Sequence, residues 1–516
     1  MAEKLVISPE TTLTLGLIYR AVKAGQQALL GDDARRAMEE SRTRLLDALG
    51  RGPVYGVNTG FGELKDVVIP AEEAKTLQLN LVRSHAVGVG RPAHPDVVAL
   101  TALFKAVELA RGLSGVRPEV AEALLEVYNR RIHVYIPIHG SVGASGDLAP
   151  LAHLALFLVG EGEYFEECVR RRGLPGGFKP MSLEEKEGLA LVNGTAFSLA
   201  LLTHSLLRTY RLLDRTLLAL ALSFAAMGGN LNALETFIHR SKRHRGQAYV
   251  AEKLRSLVED SGLVINSPSG SEQDPYCMRC IPQVLGPLVD ALEYARTTAE
   301  NEMNSVSDNP IIDGEGRVYS GCNFHAMYLA QAAETLKPPL AALGGLGEKN
   351  LARLLAGAHR AGLSKFLASR PGLDSGLMIL QYTVASLVAE ARTLASPALI
   401  HNIPTSAGQE DVNSMSVPSL IMLEEMLERL EWVVSALTYA SVLALHARLG
   451  GGEPGGAITP FYRRLVGLVE TRILKGDLAY QASLERLRGE LFPEGLARYE
   501  YYVVGELVEK GAVGLT

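Results

Sequence analysis

Apolar residues recur at three- and four-residue intervals along much of the chain, the spacing that lines one face of an α-helix. The pattern predicts helices from Val107 to Val127, Ala196 to Leu222, Val284 to Met303, Ala326 to Leu343 and Leu377 to Leu394. From Leu420 to Leu449 the spacing is amphipathic at first, through Leu423-Glu424-Glu425-Met426-Leu427-Glu428-Arg429-Leu430-Glu431, and then wholly apolar. A helix of that kind starts at a surface and runs into a core. Strand-like alternation is scarce, and only Val134-Tyr135-Ile136 and Arg317-Val318-Tyr319 read as extended. The expected fold class is mainly α, a long central helical bundle with a loop-rich N-terminal part.

Glycine and proline punctuate this pattern. Gly52-Pro53, Gly56 and Gly60-Phe61-Gly62 mark loops near the N-terminus, Leu174-Pro175-Gly176-Gly177 a turn, and Gly450 to Gly456 a flexible connection. Three regions follow: 1–108, an N-terminal loop and helix region containing Tyr55 and His85; 109–450, the central bundle; and 451–516, a C-terminal helical segment.

Size and charge narrow the function classes. The 516 residues are 47% hydrophobic, enough for a large buried interior. Fifty-one basic residues against 57 acidic ones give a net charge of −6, and no long basic block is present, so neither nucleic acid nor an anionic membrane is expected as a partner. The start Met1-Ala2-Glu3-Lys4 lacks the basic and apolar runs of a secretory leader. The apolar runs Leu217 to Met227 and Trp432 to Leu445 fall short of the ~20 residues that cross a bilayer. A soluble, cytoplasmic protein is the expectation. Cys277-Met278-Arg279-Cys280 has a C-x-x-C spacing, but no second pair stands at matching distance, so two reduced thiols are expected.

The chemically richest stretch is Gly143-Ala144-Ser145-Gly146-Asp147-Leu148-Ala149-Pro150-Leu151. Small side chains crowd a bend, Asp147 can cap a following helix, and Pro150 is tolerated in its first turn. Such a bend can bring the Gly146 nitrogen onto the Ala144 carbonyl carbon, since glycine resists little. Loss of two waters, one from the Ser145 side chain, would leave a five-membered imidazolone with an exocyclic methylidene. The plain alternative is a glycine-rich loop entering a helix, with or without an anion at its N-terminus.

These residues resemble the self-processed site of the methylidene-imidazolone ammonia-lyase and aminomutase family, and most closely its histidine ammonia-lyases. Tyr55-Gly56-Val57-Asn58-Thr59-Gly60-Phe61-Gly62, Leu191-Val192-Asn193-Gly194-Thr195, Gln273-Asp274-Pro275-Tyr276, Ser307-Asp308-Asn309-Pro310, Asn323-Phe324-His325 and Gln409-Glu410-Asp411 agree with it, in family order. The resemblance implies a helical homotetramer whose active sites are shared between subunits and act on a small amino acid. It implies a cofactor made autocatalytically from Ala144, Ser145 and Gly146, with no external cofactor and no metal at the site.

The roles it implies follow residue by residue. Tyr55 matches the base that removes the β-proton, and Tyr276 a helper in cyclisation or proton handling. Arg279 matches the guanidinium that pairs with the substrate carboxylate. Asn193 contacts that carboxylate and assists formation of the electrophile, Gln273 is a further site residue, and Phe324 lines the pocket. Leu79 to Gly90 contains the Ser84-His85 form found in histidine-specific members, where His85 can hydrogen-bond an imidazole, and Glu410 matches the glutamate of those same enzymes. L-Histidine, giving trans-urocanate, is therefore the expected substrate. Ala326-Met327-Tyr328 and Val412-Asn413-Ser414-Met415 depart from the histidine-type pattern. Phenylalanine or tyrosine deamination, a 2,3-aminomutase, and an uncyclised helical scaffold or amino-acid-binding protein are the alternatives.

Overall fold

The computed structural model describes residues 4–267, 272–357 and 361–511. Met1-Ala2-Glu3, read above for a leader, and residues 512–516 of the C-terminal segment lie outside the described residues. The N-terminal part holds α1 (Leu15–Lys23), α2 (Asp32–Leu49), α3 (Ala74–His85) and α4 (Pro95–Ala110). Helices make up about half of this part, and its longest loop-rich stretch lies between α2 and α3. Next come α5 (Pro118–Asn129), α6 (Leu148–Leu158), α7 (Glu187–Val192), α8 (Ala196–Met227), α9 (Thr236–Lys242), α10 (Arg245–Val258) and α11 (Tyr276–Arg279). The long helices α12 (Ile281–Met303), α13 (Met327–Leu355), α14 (Met378–Leu394) and α15 (Ser416–Arg448) complete the bundle. The C-terminal segment adds α16 (Thr459–Val466), α17 (Gln481–Leu491) and α18 (Gly505–Lys510).

Helices α8, α13 and α15 form the axis of the molecule, with α15 packed along both of the others. Every residue from Val433 to Leu445 is buried, as the apolar finish predicts, but α15 does not start at a surface: Ser416 to Leu423 is already largely buried beside the Gly143 loop, and the amphipathic stretch lies in the middle of the helix. α15 is long and apolar enough to cross a membrane by length and composition, but most of its apolar window is buried inside the protein. Its length exceeds the run read from Trp432 to Leu445, and burial explains its composition. One continuous apolar core runs from Ile7 to Val508 and takes in all three sequence regions.

Two local expectations change. The apolar stretch Val107 to Val127 is two helices, because Gly112 and Gly115 adopt left-handed φ values of 71° and 69° and Pro118 starts α5. The extended segment at Val134 to Ile136 is two short strands: His133–Val134 pairs with Tyr164 and Phe165, and Pro137–His139 with the strand Val89–Pro92. α8 ends as its sequence suggests, at Gly228 with φ 69°. This frame sets the N-termini of α6, α8, α13 and α15 around one point, the loop from Gly140 to Asp147.

Candidate active site

That loop is fixed from several sides. The Met415 N–H donates to the Val142 carbonyl at 2.8 Å, while Ser414 Oγ (2.8 Å) and the Ala326 N–H (3.2 Å) donate to the Gly143 carbonyl. Gly143 has φ 63°, and a Cβ there would lie 2.2 Å from Ser416 Oγ. Gly146 has φ 81°, and its Cβ would stand 2.3 Å from both the backbone nitrogen and the oxygen of Gly194. The Asp147 N–H donates to the Gly194 carbonyl at 2.8 Å. Two backbones thus meet with room for hydrogen only.

Asp147 occupies the N-cap position of α6 but does not cap it with its side chain. Its carboxylate instead accepts from the N–H and Oγ of Ser198, both at 2.6 Å, and from Ser141 Oγ at 3.0 Å. The group is fully buried; burial pushes its carboxyl up and the Ser198 donors oppose this. An acceptor aimed across to α8 binds two helices, which the sequence reading of a local cap did not foresee.

Behind Gly194 lies a buried ion pair. Lys105 Nζ donates to Glu108 at 2.9 Å and to the Asn193 carbonyl at 2.5 Å. Glu108 accepts from the N–H and Oγ of Ser307 at 2.8 and 3.0 Å, and Ser307 Oγ accepts from the Thr195 N–H at 3.1 Å. Both faces of the Asn193-Gly194-Thr195 turn are therefore occupied. Sequence reasoning missed Lys105, Glu108, Ser198, Ser414 and Ser416. The signal for the first two was Leu103-Phe104-Lys105-Ala106-Val107-Glu108-Leu109, a charged pair at i, i+3 inside a run where every neighbour is apolar.

The functional side chains converge on Ser145. Its Oγ donates to Glu410 Oε1 at 2.7 Å, and its carbonyl accepts from Asn193 Nδ2 at 3.1 Å. Asn193 Oδ1 is buried and makes no hydrogen bond. Thr405 Oγ1 donates to Glu410 Oε2 at 3.0 Å, so both oxygens of that carboxylate are held. A cleft of about 780 Å³ is lined by Tyr55, Leu81, His85, Ser145, Asn193 and Glu410. A second cavity of about 520 Å³ shares Tyr55, Ser145 and Glu410, and adds Ala144, Phe324 and His325. Ser145 stands between the two. The Tyr55 hydroxyl oxygen accepts the Gly62 N–H at 3.1 Å, which points the phenol at this junction. His85 Nδ1 pairs with Ser84 Oγ at 3.0 Å. Burial holds His85 below its usual range, with the Leu81 backbone and the Glu410 charge opposing, so the ring is neutral at pH 7 and Nε2 remains for a ligand.

Gln273, Tyr276 and Arg279 are not brought here. Gln273 and Tyr276 are exposed, and Tyr276 keeps 71% of its surface in solvent. The Arg279 guanidinium lies over the Tyr276 ring, 4.8 Å from its centre, and its Nε is buried without a hydrogen-bond partner. The Cys277 carbonyl beside them accepts from Asn350 near the far end of α13, whereas Ala326, just before α13, touches the Gly143 loop. At about 1.5 Å per residue along that helix, the two points stand on the order of 35 Å apart. Cys277 and Cys280 are free thiols.

A tyrosine, an amide, a half-buried histidine and a carboxylate surround a small-residue bend at the meeting point of long helices, and with the matches that follow the chain is a carbon–nitrogen lyase of the ammonia-lyase class. The sequence pattern of the family described as aromatic amino acid lyase matches residues 13–466, and the chain belongs to that family. Histidine ammonia-lyase of Geobacillus thermodenitrificans (strain NG80-2) is 38% identical over 501 residues, covering 94% of this chain and 99% of that protein. Among solved structures, phenylalanine aminomutase of Pantoea agglomerans superposes with a TM-score of 0.89 at 30% identity, over 96% of this chain and 100% of that one. Histidine ammonia-lyase from Trypanosoma cruzi gives 0.85 at 30% identity, over 100% and 96%.

Two outcomes follow from this geometry. Gly146→Ala places a methyl group on the Gly194 backbone, so turnover should fall by at least ~100-fold while circular dichroism remains that of a helical protein; near-normal activity would show that the close approach is not needed. Glu302 accepts from the Thr195 hydroxyl, and burial raises its carboxyl from 4.5 to about 6. Its protonated form is favoured by the fold, so its contribution to stability is complete below about pH 4.5 and lost as pH rises through about 6. Denaturation midpoints across that window should fall less for Glu302→Gln than for the parent, and equal slopes would contradict this.

Proposed function

We propose that the chain eliminates ammonia from L-histidine to give trans-urocanate, using a methylidene-imidazolone formed from Ala144, Ser145 and Gly146. The supporting observation is Ser145 hydrogen-bonded to Glu410 at the mouth of a cleft that His85 also lines. The residues fit that group: only hydrogen fits between Gly146 and Gly194, and Asn193 Nδ2 already donates to the Ser145 carbonyl. When formed, it supplies an electrophile that makes the substrate nitrogen a better leaving group. Loss of Ser145 Oγ as water removes the donor from Glu410 Oε1 and leaves that oxygen facing the cleft. Glu410 and neutral His85 then offer an acceptor and an imidazole partner to the two ring nitrogens of histidine. A phenyl ring would leave both unpaired, at a cost in a partly apolar cleft. In this reading Tyr55, which lines the cleft, removes the β-proton and Asn193 meets the carboxylate end.

The two departures from the histidine-type pattern hold the Gly143 loop through Ala326, Ser414 and Met415, and their other side chains stay outside the first cleft. Met327 and Tyr328 line neither cavity and lie at the start of α13, with Tyr328 exposed. Val412 borders only the second cavity.

Arg279, Tyr276 and Gln273 are assigned to a neighbouring subunit's site, in a homotetramer with shared active centres. Their distance from Ser145 within one chain and the exposure of Tyr276 support this, as do exposed apolar side chains such as Leu373, Ile379, Tyr382, Ile400 and Ile403.

Incubation with L-histidine, L-phenylalanine and L-tyrosine should yield urocanate and ammonia from the first alone. The intact mass should be two waters below that of the encoded chain, and borohydride should inactivate. Cinnamate without urocanate, or a β-amino acid, would overturn the substrate and reaction; full activity at the unprocessed mass would overturn the electrophile. Ser145→Ala should be inactive yet assembled, and Tyr55→Phe should lower kcat by about 100-fold or more. Ser145→Ala and Arg279→Met chains, each inactive, should regain measurable turnover when refolded together. No recovery from mixed assemblies that contain both chains would place Arg279 in its own subunit's site.

A further inference from the structure

Away from the active site, a cavity of about 540 Å³ is lined by His94, His204, Arg208, Glu424, Glu431 and Tyr499 among others. None of these six borders the clefts around Ser145. His94 precedes α4, and its Nδ1 accepts the Asp96 N–H at 3.2 Å. His204 sits within α8, is 3% exposed, and its Nδ1 lies 3.0 Å from Glu424 Oε1. A carboxylate only accepts, so Nδ1 of His204 carries a hydrogen and Nε2 is the ring atom left to face a ligand. That Nε2 is buried and makes no hydrogen bond. A buried polar atom without a partner calls for an explanation.

His94, Asp96 and His204 offer ligand atoms that all lie within 4.8 Å of one another. The two imidazoles are stacked, with centres 4.8 Å apart and planes 29° from parallel. Two imidazoles bound at about 2.0–2.1 Å to one tetrahedral ion have centres on the order of 5 Å apart, so the spacing fits and the rings must turn to aim both lone pairs at the ion. We propose that His94, Asp96 and His204 form a binding site for a divalent ion of the zinc class, with water from the cavity completing the coordination.

Two imidazoles and a carboxylate suit zinc better than the harder alkaline-earth ions. Glu424 behind His204 is the arrangement by which an outer carboxylate fixes a ligand's tautomer. The charges nearest the pair are Asp96 and Glu424 against Arg208, and Arg208 is also answered by Glu431 at 3.1 Å. Asp96 Oδ2 also accepts the Leu496 N–H at 2.7 Å. An ion here would fasten the start of α4, the middle of α8 and the C-terminal segment together. Its role is structural.

Calorimetric titration of EDTA-dialysed protein with zinc chloride, with metal analysis after gel filtration, tests this. One zinc per chain should bind and raise the Tm. His94→Asn and His204→Gln should each weaken binding at least about tenfold, while a Cys277→Ser/Cys280→Ser variant should bind like the parent. Absence of saturable binding in the parent would overturn the proposal, as would unchanged affinity in His94→Asn or loss of zinc with the cysteines. His94 is partly exposed, so its variant remains informative if His204→Gln does not fold.

Discussion

The structure depends on one contact, the approach of the Gly146 backbone to that of Gly194. No side chain fits between them, and the polypeptide must therefore be held at that spot by groups on either side. On one side Asp147 reaches into α8 through Ser198, and on the other Lys105 and Glu108 grip the Asn193–Thr195 turn through its carbonyl and through Ser307. Burying a lysine, a glutamate and an aspartate costs desolvation that their mutual attraction does little more than offset. Apolar packing of the same volume would hold two helices together equally well. It would not define the direction in which a carbonyl and an amide point, and direction is what a bend poised for cyclisation needs.

The same economy explains the placing of the long helices. Charges on α15 face α8 in the first half of the helix, where Glu424 and Glu431 bind Arg208, and are absent from the surrounded stretch Val433 to Leu445. The buried start of the helix adjoins the loop, and the apolar half beyond Val433 anchors it. A rigid frame of this type lets a loop of small residues keep an unusual backbone, because the helix N-termini around it cannot drift.

The long helices were legible because burial on one face imposes a repeat of 3.6 residues, and α8, α12, α13, α14 and α15 appear where the apolar spacing places them. The break between α4 and α5 was not, since Gly112 and Gly115 interrupt a run whose apolar character never changes. Of the site residues, Tyr55, His85, Ala144, Ser145, Gly146, Asn193, Phe324 and Glu410 gather around one junction. Lys105 and Glu108 escaped notice for a physical reason: a charge in an apolar stretch has no meaning until its partner, here a carbonyl 88 positions away, is known. Tyr276 and Arg279 mark the opposite limit, since a motif records that residues serve one chemistry and is silent on whether one chain delivers them.

That separation has a consequence for the chemistry. The groups that would process the bend and meet the ring of a substrate all sit in one subunit, whereas the guanidinium assigned to the carboxylate stands a bundle's length away. Under the proposed function a lone chain would build the electrophile and still bind an amino acid poorly, because among the described residues only Asn193 in its own cleft is assigned to the carboxylate. Lys65 borders the second cavity, but its ammonium is already bonded to Gln409 at 2.9 Å and lies toward solvent. In the proposed shared-site homotetramer, division of labour of this kind would couple turnover to assembly: a reactive double bond formed in an isolated subunit would meet no oriented amine until a second bundle closed over it.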